Sequence, residues 1–371
     1  MARWINLSYA NVATTSPVAH EVASEWADLL ARGGSAEFDG DAEKNALMPL
    51  RESAARLLSC EVGDVCAGSS ATELICSLAW AISPSKGSNI VSTRASFPST
   101  VYPWRRVAEA NGAEIRLAEH DKSLYTSPDD ILELIDDQTS VVTLSHVEYS
   151  NGQRYDLKMF AEAAHSVDAL LIVDATQSMG MVPIAAPSTG ADALVSSGYK
   201  WLRGTYGAAV AYVSAAIRGQ LNPGLVGFRS NADLWDLRAD RMDLPKDASR
   251  FEFTTLHFGA ALGLAEAVEE INEIGIEKVW KHDIGLADLI IEGSRRMGIE
   301  VASPTTEDER SAIVSLRLPN GISSKEISRR LQNEHSIIVT SRAGLLRVSP
   351  HIDNDARDVS ALFEALSSLL E

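Results

Sequence analysis

The chain has 371 residues, 45% of them hydrophobic, and a formal net charge of −18 from 33 basic and 51 acidic residues. That length suits one large domain or two modest ones with ample core material. The acidic balance argues against nucleic acid and anionic membrane surfaces, both of which are bound through basic patches. No apolar run approaches the ~20 residues of a membrane span. Met1-Ala2-Arg3-Trp4-Ile5-Asn6 lacks the apolar core of a signal peptide, so a cytoplasmic location is expected. Cys60, Cys66 and Cys76 are clustered, odd in number and not at zinc spacing; they read as buried free thiols, and no metal site is expected.

In chain order, residues 1 to about 20 read as an irregular arm. Val18 to Arg32 reads as a helix ended by Gly33-Gly34, and Lys44 to Leu58 as a second. Strand-like runs follow at Asp64–Cys66, Asn89–Thr93, Glu114–Leu117, Ser140–Leu144, Leu170–Asp174, Ala193–Ser196 and Ala208–Val213, with helical runs between them. The clearest helix start is Ser127-Pro128-Asp129-Asp130, which has a capping Ser, Pro at the first position and acids in the first turn; this helix is expected over Asp129 to Ile135. Such alternation predicts a mostly parallel seven-stranded sheet covered on both faces. Residues 219 to 250 read as long loops with a short helix. From Leu256 a long helix leads into a smaller α+β domain. Its strands are expected at Ala312–Leu318, Ile337–Thr340 and Leu345–Val348, and its helices at Lys325–Asn333 and Asp355–Leu370. The expected division is an arm over 1–20, a large domain over 21–255 and a small one over 256–371.

Several stretches carry chemistry. Gly68-Ser69-Ser70-Ala71-Thr72-Glu73 puts small residues before the helical run Leu74 to Ile82, leaving backbone N–H groups free for a phosphate. Leu170-Leu171-Ile172-Val173-Asp174 ends a buried strand in a carboxylate, at the sheet edge where open α/β sheets bind ligands. Lys200, in Ser196-Ser197-Gly198-Tyr199-Lys200-Trp201-Leu202, closes another strand and points into a cleft. Burial lowers a lysine pKa, and a neutral amine attacks carbonyls. Pyridoxal phosphate needs a lysine for its aldehyde and an acid for its pyridinium nitrogen, which Lys200 and Asp174 supply.

These motifs, in this order and spacing, resemble the class V aminotransferases. This is the fold-type-I pyridoxal-phosphate group that includes cysteine desulfurases, selenocysteine lyases, kynureninases and isopenicillin N epimerase. The resemblance runs from about Asn6 to the C-terminus. It implies a large seven-stranded cofactor-binding domain, a small C-terminal domain, pyridoxal phosphate and an amino-acid substrate. Phe97, in Phe97-Pro98-Ser99-Thr100, stands where desulfurases carry a ring-stacking histidine; kynureninase-like members have a similar Phe-Pro segment, and an aromatic face stacks well on a heteroaromatic ring. Gln177 resembles the residue that bonds the cofactor's phenolic oxygen. Ser70, Ala71, Thr72, Ser197 and Tyr199 occupy phosphate-contact positions. Arg250-Phe251-Glu252-Phe253-Thr254-Thr255 resembles the segment whose last threonine reaches the neighbouring subunit's phosphate, which implies a homodimer; Thr254 replaces the usual Gly. Relatives cover the active site with the N-terminal arm, making Tyr9 and Asn11 substrate-contact candidates. Glu148, in His146-Val147-Glu148-Tyr149-Ser150-Asn151-Gly152, stands where Asn or Ser is common and is a substrate-pocket candidate, with His146 a structural hydrogen-bonder.

Leu345-Leu346-Arg347-Val348-Ser349-Pro350-His351 matches the family's arginine strand, and Arg347 can grip an α-carboxylate bidentately. Desulfurases carry a mobile catalytic cysteine before that strand. Here the segment is Thr340-Ser341-Arg342-Ala343-Gly344, and no cysteine follows Cys76. This C-terminal pattern looks most like hercynylcysteine sulfoxide lyases and lincosamide-pathway relatives that process cysteine S-conjugates. The first expectation is therefore β-elimination of a cysteine S-conjugate or sulfoxide to thiol or sulfenate, pyruvate and ammonia. Decarboxylation-coupled oxidative deamination and transamination or epimerisation are the alternatives.

Overall fold

A computed structural model describes residues 3–370; Met1, Ala2 and Glu371, at the outer ends of the expected arm and small domain, lie outside that range. The arm holds β1 (Ile5–Asn6). The seven expected strands all form: β2 (Val65–Gly68), β3 (Asn89–Thr93), β4 (Glu114–Ala118), β5 (Thr139–Ser145), β6 (Leu170–Asp174), β7 (Ala193–Ser197) and β8 (Ala209–Val213). They make one sheet in the order β2-β8-β7-β6-β5-β3-β4. Every neighbouring pair from β7 to β4 is parallel, while β8 runs antiparallel to both β7 and β2. No helix occupies the Gly198–Ala208 connection, so β8 returns alongside β7 without the crossover a parallel pair needs.

The central strands are apolar throughout because both faces are covered. On β6, Leu171 and Val173 enter one core cluster and Ile172 enters the other, following the two-residue alternation of a strand. The first cluster also takes in Phe258, Leu264, Val268 and Ile271 from the helix Phe258–Ile274. That helix packs against the helices Pro17–Gly33 and Met48–Leu57. Gly263 permits the contact, since a Cβ there would stand 2.5 Å from the Ala19 carbonyl oxygen. The large core therefore runs past the boundary expected at residue 255, and a separate core in the C-terminal part, with Leu316, Leu346 and Leu362, takes helical residues only from Leu286 onward.

The small domain is an antiparallel sheet of β9 (Glu300–Val301), β10 (Val314–Arg317), β12 (Thr340–Arg342) and β13 (Leu345–Val348), in the order β12-β13-β10-β9. A two-residue strand, β11 (Ile337–Ile338), pairs in parallel with β1 of the arm.

Several expected elements differ. The helix expected over Lys44–Leu58 is two helices, Gly40–Asn45 and Met48–Leu57. Pro49 sits in the first turn of the second, where a missing N–H costs nothing, and so begins a helix rather than continuing one. The helix expected over Asp129–Ile135 ends at Leu132. The strand expected over Ile337–Thr340 divides at Val339 into β11 and β12, which pair with different partners. Among the described residues, no helix is long and apolar enough to cross a membrane.

Candidate active site

The C-terminal ends of β3, β5, β6 and β7 lie along one edge of the sheet and deliver the chemistry there. One cleft is lined by Ala71 and Thr72 from the helix Ala71–Ile82, by Phe97 and Ser99 after β3, and by Ser145, Val147 and Tyr149 at and after β5. Asp174, Thr176 and Gln177 follow from β6, and Ser197, Tyr199 and Lys200 from β7. Eight of these were expected from the sequence.

Lys200 is 8% exposed, and its amine lies 5.6 Å from the Phe97 ring centre and 5.8 Å from that of Tyr199. Burial pulls its pKa down to about 8; Asp174 opposes that shift, and Arg347 and Arg342 reinforce it. The turn that presents Lys200 depends on Gly198, where a Cβ would come within 2.9 Å of the Ala208 carbonyl oxygen and closer still to Leu264. Arg203 closes the turn in a left-handed conformation (φ 57°), held by ion pairs to Glu270 at 2.8 Å and Asp353 at 2.9 Å.

Both oxygens of Asp174 are engaged: Oδ1 accepts from the Thr176 amide at 2.9 Å and Oδ2 from the Thr100 hydroxyl at 3.0 Å. These bonds orient the carboxylate and leave lone pairs for a cationic N–H. Gln177 is held by its Nε2 donating to the Ala10 carbonyl (2.9 Å) and its Oε1 accepting from Trp201 Nε1 (2.8 Å), with a second Nε2 hydrogen still available. At the helix start, the Ser70 hydroxyl accepts from the Glu73 amide, so Ser70 caps the helix and its side chain does not line the cleft. Ser197 Oγ accepts from the Ala71 amide, and the Thr72 hydroxyl donates to Ser99 Oγ at 2.9 Å. Phe97 stays 40% exposed, set edge-on to Tyr149 at 5.1 Å, and Tyr199 stacks on Tyr206 at 4.4 Å.

Arg347 is 1% exposed on β13. Its Nη1 donates to the Tyr149 carbonyl, while Nε and Nη2 have no partner. Burial and the nearby Arg342 charge bring its pKa down to about 9. Buried donors without acceptors are costly, and an anionic ligand is what satisfies a guanidinium in this state.

Four expected site residues lie elsewhere. Tyr9 is fully buried with its hydroxyl on Asp353 and its ring against His351 (5.1 Å), so it is a structural residue of the arm. Asn11 accepts from Arg342 Nη2 at 2.8 Å. Glu148 is buried behind the cleft wall, taking a hydrogen bond from Ser96 Oγ at 2.8 Å; burial pushes its pKa up to about 8, which keeps it largely neutral at pH 7. Thr255 is exposed and outside the cleft of its own chain. Thr100, Ser145, Tyr149, Thr176 and Arg342 were not singled out from the sequence. Thr176, two residues after Asp174, was the most accessible of these, since an Asp side chain commonly accepts from the backbone amide two residues on, which puts Thr176 beside the carboxylate.

A family model described as aminotransferase class-V matches residues 9–362. A probable cysteine desulfurase of Methanothermobacter thermautotrophicus is 26% identical over 340 residues, covering 87% of this chain and 83% of its own. The cystine C-S lyase C-DES, solved in complex with its reaction product cysteine persulfide, superposes with a TM-score of 0.90 at 18% identity, covering 99% of this chain and 98% of that one. A C-DES mutant with glycine covalently linked to the PLP cofactor gives a TM-score of 0.90 at 18% identity, covering 99% and 97%. The cleft fits that cofactor group by group. A partly neutral buried lysine would suit its aldehyde, Asp174 its ring nitrogen, Phe97 its ring face, and the small-residue helix start with Ser197 its phosphate.

Proposed function

This chain belongs to the class-V aminotransferase family, and we propose that it is a C–S lyase that eliminates at Cβ of a cysteine S-conjugate or sulfoxide. The products are thiol or sulfenate, pyruvate and ammonia, with one water consumed. Bound in the cleft, pyridoxal phosphate supplies an electron sink that weakens the bonds at Cα and Cβ of an attached amino acid. Arg347 binds and orients the substrate α-carboxylate through its free Nε and Nη2. Lys200, with a pKa near working pH, takes the proton from Cα and delivers one to the departing sulfur. Asp174, oriented by Thr100 and Thr176, would accept from the cofactor's ring nitrogen and hold a proton there. Phe97 and Tyr149 cover one side of the reacting atoms.

The observation that carries elimination over persulfide formation is the β12–β13 hairpin. It turns through Ala343 (φ 48°) and Gly344 (φ 82°) alone, with no cysteine and no length to move one into the cleft. Cys60, Cys66 and Cys76 are free thiols, and none lines the cleft. Sulfur therefore leaves with the substrate fragment. The C-terminal pattern favours hercynylcysteine sulfoxide lyase-like chemistry within this class, and Phe97 a kynureninase-like stack. Exposed Thr255 suits a homodimer in which it serves the neighbouring site, and the free thiols suit a reducing, cytoplasmic compartment. The test is mass spectrometry of products from cofactor-loaded protein given a bulky cysteine S-conjugate in air. Free thiol with pyruvate, lost by at least about 10³-fold in Lys200→Ala, is the expected result. A product that keeps its sulfur but has lost carbon dioxide and the amine makes the enzyme an oxidative deaminase instead.

A further inference from the structure

The hairpin that replaces a mobile loop carries a second arginine. In the β12–β13 register, Thr340 faces Arg347 and Arg342 faces Leu345. Residues two apart on a strand share a face, and directly paired residues do too, so Arg342 and Arg347 project from the same side of the hairpin as diagonal neighbours. Diagonal neighbours stand roughly 7–8 Å apart at the backbone, within joint reach of two long side chains. Arg342 thus stands beside Arg347, whose Nη1 donates to the carbonyl of the cleft-lining Tyr149.

Like charges this close are unfavourable unless something anionic joins them. Among the described residues, no carboxylate pairs with either arginine. Arg342 bonds only neutral oxygens, Ser341 O at 3.5 Å and Asn11 Oδ1 at 2.8 Å. Arg347 bonds only the Tyr149 carbonyl. The one cleft-lining carboxylate, Asp174, is already engaged by Thr100 and Thr176. One α-carboxylate satisfies the two free donors of Arg347 and leaves the second cation unmatched. We propose that Arg342 selects substrates with a second anionic group, a carboxylate or sulfur oxyanion, a few bonds beyond Cβ. This rests on the C–S lyase reading and narrows its substrates to cysteine S-conjugates with acidic tails.

Binding tests this without turnover. The wild-type holoenzyme and Arg342→Gln are titrated calorimetrically with 2-aminoadipate, the uncleavable carbon isostere of S-carboxymethylcysteine, and with its side-chain amide homoglutamine. Gln removes the charge and shortens the side chain, while the arm stays tied by the β1–β11 pairing and the backbone bonds of Leu7 and Tyr9 to Ser349. The expected result is a preference for the acid of about 10- to 100-fold in wild type, the size of one charge-assisted hydrogen bond, reduced below about 3-fold in the variant. Equal affinities in wild type, a preference that survives in Arg342→Gln, or no binding of either compound overturns the proposal. S-carboxymethylcysteine itself separates the two readings. An acid preference without release of thioglycolate sinks the lyase assignment and leaves Arg342 its role.

Discussion

Two nitrogens of Arg347 are buried without a protein hydrogen-bond partner, and the cost falls on the ligand-free enzyme. Burial pulls its pKa down to about 9, the direction expected of a charge taken out of water without a counter-ion, and that buried charge opposes folding. Arg347→Met should therefore raise the melting temperature of the apo-protein, by roughly 2–3 °C if about 2 kcal/mol of burial cost is relieved. The same change should weaken substrate binding by 100-fold or more, because a buried guanidinium–carboxylate contact is lost. Calorimetric scans and KM measured side by side check this; a variant that loses stability together with affinity would show that Arg347 is a structural residue. Asp174→Asn should keep the Thr100 and Thr176 contacts but lose the charge, loosening the cofactor about 10- to 100-fold in an absorbance titration. Lys200, Asp174 and Arg347 were legible in the sequence because each closes or occupies an apolar strand, and the alternation places strand ends along one edge. Arg342 and Tyr149 were not, because their place in the site depends on a pairing between distant segments.

The turn after β5 shows what one element adds. His146 through Tyr155 loops back on itself, with the Tyr155 amide donating to the His146 carbonyl and the Glu148 amide to the Gln153 carbonyl. Gly152 takes a left-handed conformation there (φ 75°), and a Cβ on it would meet the Ile313 carbonyl oxygen at 2.4 Å, so the turn docks directly on the small domain. Two of its buried ionisable groups, His146 and Glu148, titrate with opposite sign. Burial lowers the His146 pKa to about 3, so the unfolded chain holds the extra proton between about 3 and 6.5, and stability falls as pH drops through that window. Burial raises the Glu148 pKa to about 8, so the folded chain holds the extra proton between about 4.5 and 8, and stability falls as pH rises through that window. Where the windows overlap, near pH 5–6, the two slopes offset each other. Glu148→Gln should remove the alkaline loss, flattening the difference in melting temperature between pH 6 and 8 while leaving the acid limb. An unchanged slope in the variant would mean that Glu148 is ionised in the folded chain at pH 6. From the sequence Glu148 was a pocket candidate, since periodicity gives a residue's face but not whether the adjoining turn folds over it.

Across the whole molecule, the two halves of the site must hold their distance: Lys200 and Asp174 come from the large sheet and Arg347 from the small one. Three of the ties that span them bear on this. The docked turn is one. Another is His351, two residues past the arginine strand's last neighbour Ser349, whose ring nitrogens face Asp283 Oδ2 at 2.6 Å and the Trp201 carbonyl at 3.0 Å. The third is the arm. It pairs β1 with β11, accepts the Ser349 amide on the Leu7 carbonyl, donates the Tyr9 amide to the Ser349 carbonyl, and reaches the Lys200 turn through the Ala13 amide donating to the Tyr199 carbonyl at 3.1 Å. Leu7 belongs to the small core and Tyr9 to the large one, so three residues of chain join two hydrophobic clusters. The sequence signalled an irregular arm but not this role, because so short a strand has no periodicity to read and its partner lies at residue 337. Leu7→Ala should cost about 2–5 kcal/mol, as a fully buried leucine does, and the loss should fall on the small domain first. Urea unfolding of the holoenzyme, followed by cofactor absorbance and by far-ultraviolet dichroism, is expected to give one coincident transition in wild type. In Leu7→Ala it should give two, with the dichroic change beginning while the cofactor signal is intact. KM should rise in the same variant ahead of any loss of cofactor, since Arg347 is the half that moves. Coincident transitions in the variant would place the coupling in the docked turn and His351, and the arm would then be a cover on the site without a part in aligning it.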